Sequence, residues 1–318
     1  MNYSIISYIL GWVLTIESIF MFIPCIVAAI YREKEGFAFL IVALLCLAIG
    51  LLRIRKKTKS QVFYAKEGFV TVALSWIIMS IFGALPFVIN RDIPSFTDAL
   101  FETSSGFTTT GASILSNVEA LSHCSLFWRS FTHWIGGMGV FVFLLAILPL
   151  TGGYNMHLMR AESPGPSVGK FVPKVRETAK ILYAIYIVMT LVEIILLLFA
   201  GMPLFDSLTV SFGTAGTGGF GIKNTSIADY NMVIQAIISI FMILFGVNFN
   251  AYFLLLLRKF NRAISEEVRG YFAIILVAIG IITANIYSLY NSFGEAVRQA
   301  AFQVGSIITT TGFSSCDF

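Results

Sequence analysis

The stretch Asp98-Ala-Leu-Phe-Glu-Thr-Ser-Ser-Gly-Phe-Thr-Thr-Thr-Gly-Ala-Ser113 joins a short apolar helix pattern to a loop rich in threonine and glycine. Related stretches occur at residues 205–221 and 300–314. When the three stretches of sequence are aligned, Gly111, Gly219 and Gly312 occupy the same position. Gly219 follows Gly111 by 108 residues, and Gly312 follows Gly219 by 93 residues. The chain therefore carries three copies of one helix and loop pattern.

A loop of this kind has a use inside a membrane. A helix that enters only halfway leaves its last carbonyl groups unpaired, and the partial negative charge at that end attracts a cation. Glycine allows the following residues to turn their carbonyl oxygens toward a shared axis, where rings of oxygens replace the hydration shell of an ion. Each copy therefore predicts one loop of a selectivity filter.

Composition indicates an integral membrane protein. Of the 318 residues, 57% are hydrophobic and 12% are charged, whereas a soluble domain has roughly 25% charged residues. The mean hydropathy is +0.86. The net charge is +4, but the basic residues are dispersed over short loops, which argues against a nucleic-acid partner. The four cysteines have no CxxC spacing and indicate neither a zinc site nor a disulfide scaffold, and no tightly bound cofactor is expected.

Seven apolar segments are long enough, or nearly so, to cross a bilayer. They cover residues 5–31, 37–52, 69–89, 126–150, 181–199, 232–257 and 271–289. The first two are expected to form a hairpin with a turn at residues 32–35. The fold class predicted from this pattern is an all-α polytopic membrane protein.

The basic residues predict the orientation of the chain. Fifteen of the 21 Lys and Arg residues fall in alternate loops: Arg53, Arg55, Lys56, Lys57, Lys59, Lys66, Arg160, Lys170, Lys174, Arg176, Lys180, Arg258, Lys259, Arg262 and Arg269. The positive-inside rule places these loops and the N-terminus in the cytoplasm. All three threonine and glycine loops then lie on the outer face.

The repeating unit is a helix, a re-entrant half-helix with its filter loop, and a second helix. Irregular backbone at membrane depth is tolerated only where protein buries it or where it lines a water-filled cavity, so the units are expected to surround one axis. The predicted segments are a two-helix hairpin with a basic cytoplasmic loop (1–66), pore repeat 1 (67–160), pore repeat 2 (161–265) and a partial pore repeat 3 that ends after its filter loop (266–318). A pseudo-fourfold ring would need roughly 150 further residues, so the chain is expected to be C-terminally incomplete.

The chain resembles the Trk/Ktr/HKT potassium transporter family, and most closely the bacterial Trk-type membrane subunit. The resemblance covers essentially all 318 residues and rests on several motifs in the right order. They are Gly83-Ala-Leu-Pro86, Thr108-Thr-Thr-Gly-Ala112, Trp134-Ile-Gly-Gly-Met-Gly139, Ala161-Glu-Ser-Pro-Gly-Pro166, Glu177-Thr-Ala-Lys180, Gly218-Gly-Phe220 and Thr310-Thr-Gly-Phe313.

The resemblance implies potassium uptake across the bacterial inner membrane, by a channel-like or an ion-coupled route, with potassium as the transported ion. In this family, glycine at the filter position of every repeat goes with potassium selectivity, while serine in the first repeat marks sodium-conducting plant relatives; here that position is Gly111. The resemblance also implies a homodimer embedded in lipid and a cytosolic nucleotide-binding regulatory subunit.

Carbonyl groups of twelve residues are expected to bind potassium. They are those of Thr109, Thr110, Gly111, Ala112, Thr217, Gly218, Gly219, Phe220, Thr310, Thr311, Gly312 and Phe313. The rival hypothesis is a truncated, non-conducting fragment that assembles with an intact transporter. An enzyme is not expected, because no nucleophile and base pair, metal-ligand cluster or phosphate loop is placed where a substrate could reach it.

Several other residues have two interpretations. Glu102 has a structural role or attracts cations, and His133 serves helix packing in preference to a metal site. Asn248 and Asn250 are expected to bond between helices in preference to lining a cavity. The G-x-G-x-x-G pattern at residues 216–221 lacks the strand and the acidic residue that dinucleotide binding needs.

The remaining carboxylates are assigned structural roles. Asp98 and Asp206 are predicted to be N-caps of the half-helices. Glu17 and Glu193, inside apolar segments, are read as neutral or helix-bonded carboxyls in preference to a proton relay.

Overall fold

The computed structural model describes residues 2–55, 65–139, 175–290 and 292–316. Over these ranges the chain is helical and contains no β-strand. The helices are α1 (Tyr3–Tyr31), α2 (Gly36–Arg55), α3 (Ala65–Asn90), α4 (Phe96–Phe107), α5 (His123–Gly137), α6 (Val175–Phe199), α7 (Leu204–Ala215), α8 (Met232–Phe245), α9 (Phe249–Leu256), α10 (Phe260–Ala263), α11 (Glu266–Ile286) and α12 (Phe293–Ile308), with 3-10 turns at Val118–Ala120 and Tyr287–Leu289.

The chain divides into two compact units. The first comprises residues 1–108 and 112–180, and the second comprises residues 109–111 and 181–318. This division cuts across the predicted repeats, whose boundaries stay a prediction. Three residues of the first threonine and glycine loop therefore belong with the C-terminal half of the chain.

Five of the described helices are long and apolar enough to cross a membrane, namely α1, α2, α3, α6 and α11. Each overlaps one of the predicted spans. The predicted span at residues 126–150 begins within α5, which ends at Gly137, and its part beyond residue 139 lies outside the described residues.

The predicted span at residues 232–257 is not one continuous helix. Helices α8 and α9 meet at an angle of 87° across residues 246–248. A Cβ atom added to Gly246 would lie 2.5 Å from the hydroxyl oxygen of Tyr271 and 2.6 Å from Cγ2 of Thr309. Glycine is needed at the bend because neighbouring side chains occupy the space of a side chain there.

Tyrosine hydroxyl groups donate to two backbone carbonyls near the C-terminal end of α8. Tyr271 donates to the carbonyl oxygen of Ile243 at 2.9 Å, and Tyr252 donates to that of Leu244 at 2.6 Å. A helix break inside a membrane is tolerated when such partners replace the lost helical hydrogen bonds. The two tyrosines therefore stabilise the bend.

Helices α1 and α2 form the predicted hairpin. They approach closely at two glycines, since a Cβ on Gly50 would lie 2.4 Å from the hydroxyl oxygen of Thr15, and one on Gly11 would lie 3.0 Å from the carbonyl oxygen of Gly50. The hydroxyl of Ser18 donates to the carbonyl oxygen of Ala43 at 2.7 Å. Small residues and interhelical hydrogen bonds are what hold helices together in lipid.

The turn of this hairpin positions the N-terminus of α5. The carboxylate of Glu33 accepts hydrogen bonds from the backbone N–H groups of His123 and Cys124, at 2.8 and 3.0 Å, and contacts the imidazole of His123 at 2.8 Å. Burial alone would raise the pKa of Glu33, but these hydrogen bonds lower it below its ordinary value of 4.5.

An indole ring fixes the first half-helix in its unit. The ring N–H of Trp128, on α5, donates to the carbonyl oxygen of Gly83 on α3 at 3.0 Å. The same ring meets Phe107, the last residue of α4, edge to face at 6.0 Å. A Cβ on Gly83 would lie 2.7 Å from Cγ2 of Thr103 in α4. The close packing of α3, α4 and α5 therefore holds α4 in its position within this unit.

In the second unit a hydrophobic core connects α7, α8 and α12. Its buried members are Leu197, Met202, Val210, Ile227, Ile234, Ile238, Met242, Phe302 and Phe313. Phe313 belongs to the third threonine and glycine loop, so this loop is anchored in the core by its own side chain. Apolar burial thus holds the loop next to the end of its helix.

Candidate functional site

Three short helices end at the same distance from the aligned glycines. Helix α4 ends at Phe107, α7 at Ala215 and α12 at Ile308, each four residues before Gly111, Gly219 or Gly312. The partial negative charge at a helix C-terminus is therefore close to each loop. These are the three half-helices that the sequence pattern predicts.

The backbone of the three loops repeats residue by residue. The aligned glycines Gly111, Gly219 and Gly312 have φ angles of 76°, 72° and 85°, in the left-handed region that favours glycine.

Two residues earlier, Thr109, Thr217 and Thr310 are also left-handed, with φ of 54°, 51° and 59°. A left-handed residue with a side chain costs about 1–2 kcal/mol. This conformation was not predicted from the sequence, although a threonine recurs two residues before each aligned glycine.

The N–H groups of the loops point back to their own half-helices. The carbonyl oxygen of Gly213 accepts from Gly218 and Gly219 at 3.0 and 3.4 Å. In the third loop, the carbonyl oxygen of Ser306 accepts from the backbone of residues 311 and 312 at 2.9 and 3.4 Å. Successive N–H groups of these two loops therefore turn toward a single carbonyl of their own half-helix.

Within the second unit, the loops interlock. A Cβ on Gly111 would lie 1.9 Å from the carbonyl oxygen of Gly218, and a Cβ on Gly219 would lie 1.9 Å from that of Thr311. Each contact joins the aligned glycine of one loop to the residue before the aligned glycine of the next. A contact that repeats with this constant step is what loops arranged in succession around one axis produce.

The other predicted ligands differ in their exposure. Phe220 and Phe313 are both 1% exposed, and the hydroxyl of Ser306 donates to the carbonyl oxygen of Phe313 at 2.6 Å. Thr110 and Thr310 are exposed. Ala112 is also exposed, and it follows Gly111 in the part of the chain that belongs to the first unit.

The segment after the third aligned glycine is tied down by polar contacts. The backbone N–H of Ser314 donates to the hydroxyl of Ser226 at 3.2 Å, and its carbonyl accepts from the N–H of Ile227 at 3.0 Å. The hydroxyl of Ser315 donates to the side chain of Gln299 at 2.5 Å. The chain that follows Gly312 is therefore held by three polar contacts.

Glu102 is 1% exposed and paired with Arg129, at 2.5 Å between Oε1 and Nε. Its two carboxylate oxygens also accept from the hydroxyl of Ser113 at 2.9 Å and from the N–H of Ile114 at 2.8 Å. Of the two interpretations left open by the sequence, the structural one describes this carboxylate. Neither Arg129 nor residues 113–114 were predicted as its partners.

The predicted N-cap roles of Asp98 and Asp206 are wrong. Ser95 caps α4 and accepts from the N–H of Asp98, which lies inside the first turn. Helix α7 has Pro203 at the cap position, and the carboxylate of Asp206 accepts from the hydroxyl of Tyr230 at 2.8 Å. Both carboxylates lie in a first turn, where the helix dipole favours negative charge without a capping hydrogen bond.

The remaining polar candidates are buried or hydrogen-bonded within the fold. Glu17 and Glu193 are 1% and 0% exposed; within the described residues the carboxylate oxygens of Glu17 have no hydrogen-bond partner, and the carboxylate of Glu193 interacts with the hydroxyl of Thr214. His133 is buried and hydrogen-bonded to the backbone of Ser105. Asn248 donates to Glu267 on α11 at 3.4 Å and caps α9 through the N–H of Asn250. No group of three His, Cys, Asp or Glu suited to a metal ion occurs in the described ranges.

Comparisons with known proteins identify relatives of this chain. A family profile described as "TrkH: Cation transport protein" matches residues 35–318. The chain is 38% identical to the Trk system potassium uptake protein TrkH of Escherichia coli K12, over 99% of this chain and 67% of that protein. It is 31% identical to the Trk system potassium uptake protein TrkG of the same organism, over 99% of this chain and 66% of that protein.

A solved structure has the same fold. The crystal structure of the potassium transporter TrkH from Vibrio parahaemolyticus superposes with a TM-score of 0.84 at 30% identity, covering 99% of this chain and 66% of that chain. The chain thus spans about two thirds of the length of these relatives. From the family profile, the sequence identities and the shared structure, we conclude that this chain belongs to the TrkH family of cation transport proteins.

Proposed function

We propose that this chain takes part in potassium uptake across the cytoplasmic membrane, through a filter lined by backbone carbonyl groups. The observation that carries the proposal is the interlocking of Gly111 with Gly218 and of Gly219 with Thr311. It supports a shared axis for the loops, because each loop meets the next in the same way. The relatives named as potassium uptake proteins support potassium as the ion.

The proposed ligands are peptide oxygens of the three loops, from Thr109 to Ala112, from Thr217 to Phe220 and from Thr310 to Phe313. No charged side chain occurs within these segments. Neutral oxygens can replace the hydration shell of potassium while binding it weakly enough for release. The carbonyl oxygen of Phe313 has a second lone pair beside its bond to Ser306.

The half-helices supply the electrostatic part of the proposal. The C-terminal ends of α4, α7 and α12 each precede a loop by a few residues. Their partial negative charges favour a cation and disfavour an anion. Discrimination among monovalent cations is assigned to the carbonyl geometry, which the left-handed residues maintain.

We also propose an N-terminus in the cytoplasm, a homodimer and a cytosolic nucleotide-binding regulatory subunit. The orientation is supported by the concentration of Lys and Arg in alternate loops. The dimer and the regulatory subunit rest on the family resemblance. Cross-linking of purified protein tests the dimer, and co-purification with the regulatory subunit of a Trk system tests the second partner.

A transport experiment tests the central proposal. The 318-residue chain and a chimera extended with the C-terminal third of the Escherichia coli relative are reconstituted in vesicles, and the uptake of potassium and of sodium is measured. We expect selective potassium uptake by the chimera and its loss in the Gly219→Ala variant. A chimera that is well folded but takes up no potassium, or takes up sodium equally, would refute the proposal.

The 318-residue chain by itself tests whether uptake needs further residues. Selective uptake without the added third favours a chain that conducts by itself. Uptake by the chimera alone favours a chain that needs further repeats or an intact partner.

A further inference from the structure

A buried ion pair lies where the first half-helix α4 crosses α5. Glu102 is 1% exposed and Arg129 is 4% exposed, and Nε of Arg129 lies 2.5 Å from Oε1 of Glu102. A buried pair is a poor source of stability, since removing two charges from water cancels most of their attraction. Its presence in this packed region therefore calls for a role beyond joining two helices.

The same carboxylate holds the segment that leaves the first loop. Its Oε1 accepts from the hydroxyl of Ser113 at 2.9 Å, and its Oε2 accepts from the backbone N–H of Ile114 at 2.8 Å. Three donors thus converge on one side chain, and Arg129 fixes the direction in which that side chain points. The guanidinium acts on the loop through the carboxylate.

These contacts close the first loop at both ends on one helix. The loop leaves α4 at Phe107, and Glu102 of that helix binds the backbone again at residues 113–114. Between these anchors are the left-handed residues Thr109 and Gly111. A short segment fixed at both ends has few alternative conformations, so the anchors hold the strained backbone in place.

The other two loops use different anchors. The residue nine positions before the aligned glycine is Glu102 in the first loop, Val210 in the second and Gln303 in the third. Val210 is part of the hydrophobic core. The segment after Gly312 is held by neutral groups, as in the contact of Ser315 with Gln299. Among these three positions a carboxylate occurs only in the first loop.

We propose that Glu102 and Arg129 are positioning residues for the first loop, and that they set its discrimination between potassium and sodium. This inference rests on the proposed function. Discrimination by a carbonyl ring depends on the number and the spacing of its oxygens. When the anchor is lost, the loop adjusts to the smaller sodium ion, and selectivity falls before uptake does.

The variants Glu102→Gln and Arg129→Lys test the pair against a matched control. Glutamine keeps the size of Glu102 but loses the charge, and lysine keeps the charge of Arg129 but loses the planar guanidinium. The control is Thr103→Val. Thr103 is the neighbouring residue and is equally buried, and its hydroxyl bonds within α4 to the carbonyl oxygen of Ala99 at 2.8 Å.

The first measurement is amide hydrogen exchange of the full chain in detergent, which does not depend on transport. We expect faster exchange at residues 109–116 in Glu102→Gln, a smaller increase in Arg129→Lys and none in Thr103→Val. Unchanged exchange in a folded Glu102→Gln protein overturns the positioning role. If Glu102→Gln does not fold, Arg129→Lys provides the test. Exchange at residues 109–116 of Arg129→Lys that is identical to that of the parent chain then overturns the positioning role.

The second measurement is the ratio of potassium to sodium uptake in vesicles that contain the chimera described above. The ratio is expected to fall by about tenfold in Glu102→Gln and to stay unchanged in Thr103→Val. Faster exchange with an unchanged ratio overturns the selectivity role alone. If the parent chimera takes up no potassium, the proposed function fails, while the exchange data still decide the positioning role.

Discussion

Gly111, Gly219 and Gly312 have the same left-handed backbone but different surroundings. Carbonyl oxygens fill the Cβ positions of the first two at 1.9 Å, whereas no heavy atom of the described residues lies within 4 Å of that position in Gly312. Two separate requirements therefore act on Gly111 and Gly219, backbone conformation and close contact. At Gly312 the described structure shows the conformational requirement by itself.

Alanine substitutions separate these requirements. In the 318-residue chain, Gly111→Ala and Gly219→Ala force a neighbouring loop to move, while Gly312→Ala adds only the conformational cost of about 1–2 kcal/mol. We expect larger decreases in the melting temperature in detergent for the first two. Gly280→Ala is the control, because Gly280 lies in α11 with no atom near its Cβ position. An equal decrease at all three loop glycines would contradict the interlocking contact.

The lowered pKa of Glu33 predicts that the stability of the fold depends on pH. Its pKa is lowered in the folded chain, so its hydrogen bonds stabilise the fold above pH 4.5, and the contribution is lost as the pH falls through the lower folded-state pKa. Glu33→Gln should lose about 1 kcal/mol near neutral pH, since it weakens the contact with the N-terminus of α5. Its melting temperature should also change less than that of the parent between pH 6 and about pH 3. Parallel pH profiles of the two proteins would disprove this assignment.

At the scale of elements, the bend between α8 and α9 shows how a long apolar segment accommodates a change of direction. Gly246 leaves space for Tyr271 and Thr309. The hydroxyls of Tyr252 and Tyr271 donate hydrogen bonds to backbone carbonyls near the end of α8. One of these tyrosines, Tyr271, comes from α11. The bend is thus maintained by contacts between elements and by a glycine within one element.

Tyr271→Phe tests this account of the bend. The change leaves the carbonyl oxygen of Ile243 without its hydroxyl donor and should destabilise the chain by about 1–3 kcal/mol. Thermal unfolding in detergent measures the loss. Tyr287→Phe is the control, because Tyr287 is 59% exposed. Equal melting temperatures for Tyr271→Phe and the control would show that the hydroxyl does not support the bend.

At the scale of the whole molecule, the apolar helices and the positions of the basic residues together predict the membrane topology. Five described helices are apolar enough to cross a membrane, and most Lys and Arg residues lie in alternate connections between predicted spans. Basic loops are retained on the cytoplasmic side during insertion. The three filter loops are predicted to face the outside together.

Cysteine labelling tests this orientation. The four native cysteines, Cys25, Cys46, Cys124 and Cys316, are not in disulfides and are first replaced by serine. Single cysteines at the exposed positions Glu119 and Asn224 should then react with a membrane-impermeant maleimide in intact cells, whereas Arg262→Cys should react only after permeabilisation. Labelling of position 262 in intact cells would show that the predicted orientation is wrong.

Several features followed from local sequence. The helical membrane class follows from apolar length, because a backbone in lipid must satisfy its own hydrogen bonds. The loops and their glycines were visible because positive φ restricts the residue type and because the pattern recurs at Gly111, Gly219 and Gly312. The hairpin of α1 and α2 followed from a short polar turn between two apolar runs.

Other features were decided only by the tertiary structure. Arg129 pairs with the carboxylate of Glu102, 27 residues earlier, and Tyr271 donates to the carbonyl of Ile243, 28 residues earlier. Gly111 contacts a loop more than a hundred residues later in the chain. Local patterns specify helices and turns, since these depend on neighbouring residues, but they do not specify which distant side chain completes a buried polar group. Asp98 and Asp206 show a different, local limit, because the cap position of each helix lies three residues earlier, at Ser95 or Pro203, so a residue type suited to an N-cap falls inside the first turn.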